Sequence, residues 1–279
     1  MQRTDYLNSL IPLPSSPRHH LGLPPPLVDH LSTVQRAIAP PRMPRPWVEY
    51  RLLAGLALSG WSLRFSLMSQ EAEARAITPT SGTLRRAAAH LDQAGLWQSA
   101  TVRVGGSPTI LVRLTDLGRS LLTDVGLEPV ESEWERMERL HRGDTSTQLA
   151  HTAAVCTFAH HARSFGYDAQ VCPDVDGPAE PDVLLVKDEE TLFVEVQRRG
   201  GEPWRRMAKW HNLARLQGEV LLCAETPAQA HRFAQEARVH AGASQGRFTD
   251  LISLFNGTPG LFTHQWSSRY MEPEVIVGM

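Results

Sequence analysis

The sequence has little net charge, few cysteines and no long apolar run. Its 28 lysines and arginines nearly balance 30 acids, for a formal charge of −2, so any nucleic-acid-binding surface must be local. The three cysteines, Cys156, Cys172 and Cys223, lie in apolar segments without Cys-x-x-Cys spacing, which predicts buried thiols in a reducing compartment. No apolar stretch approaches the ~20 residues that a membrane span needs. The apolar stretch near the N-terminus is broken by prolines and is a poor signal peptide, so we expect a soluble cytoplasmic protein.

The chain, at 279 residues, is long enough for two compact domains. Its patterning predicts a proline-rich extension over 1–45, a first domain over 46–126, an acidic linker helix over 127–146 and a second domain over 147–279. The linker combines glutamates with an apolar stripe. Its like charge argues against phosphate contact there.

The first domain is predicted to hold three helices, a β-hairpin and a closing helix. The predicted helices cover Trp47–Leu58, Ser62–Ala76, a segment capped by Thr80 or Ser81 that ends at Gly95, and a capped helix over 114–122. The hairpin is predicted by alternation over Thr101–Val104 and Ile110–Leu114 about a Gly-Gly-Ser-Pro turn.

This order, with Gln93–Trp97 before the hairpin and Leu114–Arg119 after it, resembles the bacterial winged-helix regulators over residues 46–126. The resemblance implies a third helix in the DNA major groove and a hairpin, the wing, against the backbone or minor groove. It also implies a homodimer, since such regulators usually read paired half-sites.

The arginines expected to contact DNA in this arrangement are Arg85 and Arg86 on the third helix and Arg103 and Arg113 on the hairpin. An alternative is that Arg85 and Arg86 merely solvate a helix face. Winged helices also serve as protein-docking modules, so a protein partner stays open as well.

The second domain is predicted to follow the order helix, three strands, helix, strand, helix. Its predicted elements are a helix over Ser146–Phe165, a strand over Ala169–Cys172, two strands carrying Asp182 and Glu195, a helix over Trp204–Leu216, a strand over Glu219–Ala224 and a helix over Thr226–Val239. Phe248–Phe255 is expected to add an edge strand.

Two acids stand in otherwise apolar strands of this domain. Asp182 opens one strand, Glu195 lies in the middle of the next, and a hairpin joining them would bring the two carboxylates together. Converging carboxylates make a hard, oxygen-rich site suited to Mg²⁺ or Mn²⁺. A bland alternative stays open, because Pro-Asp is common at turns and a lone strand glutamate usually lies at an exposed edge.

Pro181-Asp182, a loop and then Glu195-x-Gln197 resemble the PD-(D/E)XK nuclease superfamily. The region from Gln148 to Tyr270 also resembles the C-terminal part of the replication-relaxation proteins of bacterial mobile elements. These resemblances imply a restriction-endonuclease-like α-β-β-β-α-β core in which Asp182 and Glu195 hold the metal.

The remaining site residues follow from the same resemblance. Gln197 stands where the superfamily usually has a lysine, and an amide supplies no positive charge, so Lys209 on the following helix is expected to supply it. His151 lies where relatives often place a glutamate or another polar group facing the site, although a helical histidine is often structural. Arg198 and Arg199 would grip phosphates or, alternatively, solvate the strand end.

The fold class predicted is therefore α+β and α/β in two domains, a winged helix-turn-helix followed by a restriction-endonuclease-like core. The function predicted is a DNA-binding, Mg²⁺- or Mn²⁺-dependent DNA endonuclease directed by its winged helix, with no small-molecule cofactor and no membrane partner.

The alternative is a non-catalytic transcription or replication-control regulator that uses the second domain for dimerisation or partner binding. The missing lysine and the lack of an obvious helical glutamate favour it. A third is a protein-interaction adaptor without DNA affinity.

Overall fold

The computed structural model of the protein describes residues 45–140, 145–198, 202–267 and 274–275, and these form a mixed α+β structure with two sheets. The described chain divides into two compact units. The first runs to Thr101 and resumes over Ile110–Glu135, and the second holds Val102–Thr109 and the chain from Arg136 onward. Apart from Arg45, the predicted proline-rich extension lies outside the described residues. Within these ranges every helix is too short or too polar to cross a membrane.

The first unit is built from helices and most of a two-stranded hairpin. Its elements are α1 Arg45–Ser59, α2 Arg64–Glu73, α3 Gly82–Gln93, β1 Trp97–Val104, β2 Ser107–Leu114 and α4 Asp116–Asp124. Two helices begin at predicted hydroxyl caps: Ser81 Oγ accepts a hydrogen bond from Leu84 N at 3.4 Å, and Thr115 Oγ1 accepts one from Gly118 N at 3.1 Å. Each bond satisfies a backbone donor that the first helical turn leaves unpaired.

Helix α1 lies at the centre of this unit. Its Leu52, Leu53 and Leu56 are buried together with Leu84 and Leu91 of α3. Each fully buried leucine contributes roughly 1.5–3 kcal/mol relative to an exposed one. The apolar faces of α1 and α3 therefore pack into one shared hydrophobic core.

A buried carboxylate also joins α1 to α2. Glu71 accepts a hydrogen bond from Arg51 Nε at 2.8 Å and another from Arg75 Nε at 2.6 Å. Both carboxylate oxygens are thus bound by guanidinium groups, which offsets the cost of taking the charges out of water.

Helix α2 is shorter at its start than the predicted helix Ser62–Ala76. The carbonyl of Ser62 accepts a hydrogen bond from Val112 N at 2.7 Å, and Leu63 forms an antiparallel bridge with Leu111. This pairing with β2 holds residues 62–63 extended, so the helix cannot begin before Arg64.

The linker helix is also shorter than predicted. Helix α5 covers Glu133–Leu140, whereas the prediction was a helix over 127–146. The chain before it is tied elsewhere: Val130 N donates to the Ala57 carbonyl at 2.9 Å. Ser132 Oγ then accepts a hydrogen bond from Glu135 N at 3.3 Å and starts the helix.

The second unit is organised by a seven-stranded sheet with strands in the order β3-β4-β5-β6-β7-β8-β9. Its elements are α6 Thr145–Ser164, β3 Asp168–Val171, β4 Val183–Lys187, β5 Glu190–Gln197, α7 Pro203–Gln217, β6 Val220–Ala224, α8 Pro227–His240, β7 Gln245–Asp250, α9 Leu251–Asn256, β8 His264–Ser267 and β9 Glu274–Val275. The central strands β5, β6 and β7 are parallel, and the outer pairs are antiparallel.

The helices and apolar strands of this unit follow the predicted order up to α8. Strand β6 is buried at all five positions, as expected for a central parallel strand. Thr226 Oγ1 caps α8 by accepting a hydrogen bond from Gln229 N at 3.3 Å, with Pro227 in the first turn. The cysteines Cys156, Cys172 and Cys223 are buried thiols outside any disulfide, as predicted.

The prediction of an edge strand over Phe248–Phe255 is wrong in two respects. Phe248 lies in β7, which is an interior strand between β6 and β8, and the chain turns helical at Leu251. The switch is caused by Asp250, whose carboxylate accepts hydrogen bonds from Ser253 N at 2.9 Å and Ser253 Oγ at 2.6 Å. This side chain caps α9 and so ends the strand.

Gly246 and Gly55 should respond in opposite directions to replacement by alanine. A Cβ at Gly246 would collide with the indole of Trp266 and with the carbonyl of Val220, whereas one at Gly55 would meet Leu67 and Gln70 at 3.9 Å. We expect Gly246→Ala to lower the free energy of unfolding by about 1–3 kcal/mol through overpacking. Gly55→Ala, inside α1, should raise it by up to about 1 kcal/mol through helix propensity. Urea denaturation of both variants tests this, and an unchanged Gly246→Ala protein would contradict the packing of β7 against β8.

Candidate functional site

The β4–β5 hairpin places two acids opposite each other. Val183 pairs with Val194 in the antiparallel register, so the preceding Asp182 faces Glu195. The strands are joined by a two-residue turn at Asp188-Glu189. Both site carboxylates are only 1% exposed. The predicted hairpin and the predicted proximity of the two acids are therefore confirmed, and the glutamate does not lie at an exposed edge.

The carboxylate of Asp182 is held from two sides. Its Oδ2 accepts a hydrogen bond from Val196 N at 2.7 Å, and its Oδ1 lies 3.2 Å from His151 Nε2 on α6. Burial would raise the pKa of Asp182, but His151, Lys209 and the Val196 N–H together hold it below its usual range. Burial would likewise lower the pKa of His151, but the charge of Asp182 and its hydrogen bond outweigh it and raise that pKa.

The backbone of Asp182 is fixed as well. Its carbonyl accepts a hydrogen bond from Cys172 N at 2.8 Å. Cys172 has a φ of 46°, in the left-handed region that non-glycine residues rarely adopt. A strained backbone conformation of this kind persists only where the surrounding structure holds it in place. Here the strained residue, Cys172, holds the backbone of Asp182 through this hydrogen bond.

The carboxylate of Glu195 is only partly compensated. Lys209 Nζ on α7 lies 2.8 Å from its Oε1, while Oε2 is buried and has no hydrogen-bond partner among the described residues. Burial and then the charge of Asp182 raise the pKa of Glu195 to about 7, despite the opposing effect of Lys209. Glu195 in turn raises the pKa of Lys209. The ion pair thus favours the charged lysine, but it does not cancel the cost of the buried carboxylate.

The other predicted second-unit site residues are placed differently. Gln197 follows Glu195 by two residues on β5, so it leaves the strand on the same side, and it is half-buried. Arg198 is 8% exposed and its Nη2 lies 3.2 Å from Glu225 Oε2, so its interpretation as strand-end solvation is wrong. Arg199 lies outside the described residues.

The arginines predicted to contact DNA from the first domain are Arg85, Arg86, Arg103 and Arg113. The first two are exposed on α3, and Arg103 is exposed on β1. Arg113 is half-buried on β2, where its Nε donates to Gln98 Oε1 at 2.9 Å and its guanidinium lies 4.6 Å from the ring centre of Trp134. Three of the four therefore face solvent, and the fourth is engaged within its own unit.

Comparison with known proteins adds no assignment. No protein-family model, no curated protein and no solved structure matches the chain. The function must therefore be argued from the geometry of the site itself.

The residues at the hairpin fit a divalent cation through their donor type. In the described part of the chain, no group of three or more histidine, cysteine, aspartate or glutamate side chains is arranged to hold a metal. Mg²⁺ commonly uses one or two carboxylates and completes its shell with water and substrate phosphate. The unpartnered Oε2 of Glu195 is an oxygen that a cation could satisfy. Its Oε1 is paired with Lys209 Nζ at 2.8 Å, so a cation would bind Glu195 through Oε2.

Two contributors to the site were not foreseen from the sequence. The N–H of Val196 binds Asp182, and no side-chain pattern signals a backbone donor. Glu225 pairs with Arg198, and the signal available was its position after β6, which runs parallel beside β5. Parallel strands end at the same edge of a sheet, so a charge following one strand can meet a charge following the other.

The carboxyl group of Glu195 should titrate near neutral pH in metal-free buffer. Its pKa of about 7 in the folded protein lies above the usual 4.5. The stability that this group contributes is therefore fully present below pH 4.5 and is lost as pH rises through about 7. Carbon-13 NMR of glutamate-labelled protein should show a carboxyl titration near pH 7 that is missing in Glu195→Gln.

Variants of its neighbours should move this titration in opposite directions. Asp182→Asn removes a negative charge that raises the pKa of Glu195, so the midpoint should fall. Lys209→Met removes a positive charge that lowers it, so the midpoint should rise. A wild-type midpoint near 4.5 would show that the carboxylate is solvated and the buried site is wrong.

Proposed function

We propose that the protein is a DNA-binding protein whose second unit hydrolyses phosphodiester bonds with the help of Mg²⁺ or Mn²⁺. The observation that carries this proposal is the convergence of Asp182, Glu195, His151 and Lys209 at one buried hairpin, with one carboxylate oxygen left unpartnered. Perturbed, incompletely paired titratable groups are typical of functional sites.

The proposal assigns the first unit to a winged helix. The support is its order of three helices, hairpin and helix, together with the short extended pairing of residues 62–63 with β2. That single bridge, with the hydrogen bond from Val112 N to the Ser62 carbonyl, ties the start of α2 to the hairpin. In this arrangement α3 would enter the major groove and present Arg85 and Arg86 to the DNA.

The proposal assigns the second unit to a restriction-endonuclease-like core. The support is the order α6, β3, β4, β5, α7, β6, with antiparallel β3–β4–β5 and parallel β5–β6. Glu195 lies on β5, Asp182 immediately precedes β4 and faces it, and α6 and α7 supply the two basic groups. The resemblance of Pro181-Asp182 and Glu195-x-Gln197 to that superfamily points in the same direction.

The side chains have separable roles in this mechanism. Asp182 and Glu195 would hold the cation, which would activate water and neutralise charge developing on the phosphate. Lys209 supplies the positive charge that Gln197 lacks, next to Glu195. Gln197 can orient a water molecule by hydrogen bonding through its amide. Arg198 is neutralised by Glu225, so we assign it to holding the end of β5 beside β6.

A non-catalytic regulator is the second candidate, and one observation favours it. Three of the four carboxylate oxygens of Asp182 and Glu195 are already bound by His151, Lys209 and the Val196 N–H. A site that is largely neutralised by its own side chains can persist as a structural element without a metal. In that case the second unit would serve dimerisation or partner binding.

Cleavage by the Glu195→Ala variant separates the two candidates. We expect wild-type protein with Mg²⁺ or Mn²⁺ to cut plasmid or single-stranded DNA, and the variant to lose at least ~10³-fold activity while still binding DNA, since it lacks one of two metal-holding carboxylates. Glu190→Ala is the matched control, because Glu190 lies on the same strand but is an exposed partner of Arg247. Binding without cutting in either metal would favour the regulator.

DNA binding by the first unit is tested through Arg85→Ala with Arg86→Ala. Loss of two phosphate contacts should weaken duplex binding and reduce the slope of log K against log salt by up to about 2. Arg232→Ala with Arg238→Ala on α8 makes the same change in net charge and should leave the slope unchanged. Equal effects of both pairs would assign the binding to overall charge, and no DNA affinity in wild type would indicate a protein-interaction adaptor.

A further inference from the structure

Helix α7 carries an exposed indole in its first turn. Trp204 is 60% exposed, the largest fraction among the exposed large apolar side chains of the described residues, although tryptophan is on average well buried. The apolar face of α7 is marked by the buried Trp210 and Leu213. Trp204 precedes Trp210 by six residues and therefore lies about 120° away around the helix. The indole is thus displaced from the helix face that packs in the core.

Arg205 lies against the ring of Trp204. Its guanidinium carbon is 5.1 Å from the ring centre, and its side chain is 72% exposed. The Arg205 Nε is 3.2 Å from Glu202, an exposed ion pair that is easily exchanged for another anion. An open aromatic ring beside a solvent-facing guanidinium matches a nucleotide, whose base stacks and whose phosphate is anionic.

The same helix reaches the buried acids. Lys209, five residues after Trp204, lies 2.8 Å from Glu195. In an ideal helix the Cα atoms of Trp204 and Lys209 are ~9 Å apart. Arg205 lies between them around the helix, about 40° from Lys209. A nucleotide next to a phosphate at the acids could therefore reach the indole without leaving the first turns of α7.

We propose that Trp204 is a stacking platform for an unpaired base next to the scissile phosphate, so that the second unit prefers DNA with single-stranded nucleotides. Bases inside a duplex have both faces covered by their neighbours, and only an unpaired base can place a face on the indole. This inference rests on the proposed function and adds its substrate class. Duplex DNA, by contrast, would be bound through α3 of the first unit.

Binding of single-stranded DNA tests the platform separately from cleavage. Full-length protein would be titrated against a fluorescein-labelled 20-nucleotide single strand and its duplex, in Ca²⁺, a cation that also prefers oxygen ligands. Trp204→Ala should weaken single-strand binding about ten- to hundred-fold, the usual effect of losing one stacked base. Trp204→Phe should retain most of the affinity, and Trp204→Leu should not. Duplex binding should stay unchanged in all three.

The control is Val239→Ala, which shortens another exposed apolar side chain, 57% exposed on α8. It should alter neither binding nor the melting temperature. Equal affinity of wild type and Trp204→Ala for the single strand would overturn the platform, as would full recovery in Trp204→Leu or no single-strand binding by wild type. Stronger, Trp204-dependent binding of RNA of the same sequence would assign the base to RNA and overturn the DNA substrate.

Failure of this inference is distinguishable from failure of the proposed function. Metal-dependent cutting that is insensitive to Trp204→Ala on single-stranded and duplex DNA alike would keep the nuclease and remove the platform. Trp204-dependent binding of single strands without any cutting would keep the platform and favour the non-catalytic regulator.

Discussion

Two buried carboxylates that face each other must be compensated by neighbouring groups, and this requirement constrains how the helices of the second unit pack on its sheet. Moving an ion out of water costs several kcal/mol after relaxation, and the mutual repulsion of Asp182 and Glu195 adds to that cost. Compensation comes from three elements: His151 from α6, the Val196 N–H from β5 and Lys209 from α7. Each must approach within hydrogen-bonding distance. The packing of α6 and α7 on the sheet is therefore coupled to the charges of the hairpin.

Compensation at this hairpin is unequal between the two acids. Asp182 has a partner on each oxygen and a lowered pKa, whereas Glu195 has one partner and a pKa raised to about 7. A purely structural cluster, such as Glu71 with its two arginines, has both oxygens bound. Within the same chain, then, one buried carboxylate is fully neutralised and another is not. This contrast favours a functional reason for Glu195, because an unpartnered buried oxygen lowers stability without any structural return.

The β4–β5 hairpin was more predictable than the structure around it. Short-range pattern was enough to predict that a hairpin would bring Asp182 close to Glu195, and the structure adds the two-residue turn that sets the register. Lys209 was expected only from the resemblance to the nuclease superfamily, and it lies one residue before the buried Trp210, at the edge of the buried helix face. Short-range pattern did not show that residues 62–63 pair with β2, or that β7 is an interior strand, since both depend on partners distant in sequence. The end of β7 at Asp250 was missed because the cap competes with an apolar run that otherwise favours a strand.

The side chains of helix α7 have different roles according to their angular positions around the helix axis. Trp210 and Leu213 fill the core on one face, and Lys209, about 100° from Trp210, is the first position from which a long side chain can leave that face and reach β5. Arg205 occupies the same edge one turn earlier. Trp204 lies further round, where burial is no longer available. If packing alone had shaped this helix, its first turn would need only a polar residue there. The proposed stacking of a base would account for an indole at that position, beside the exposed guanidinium of Arg205.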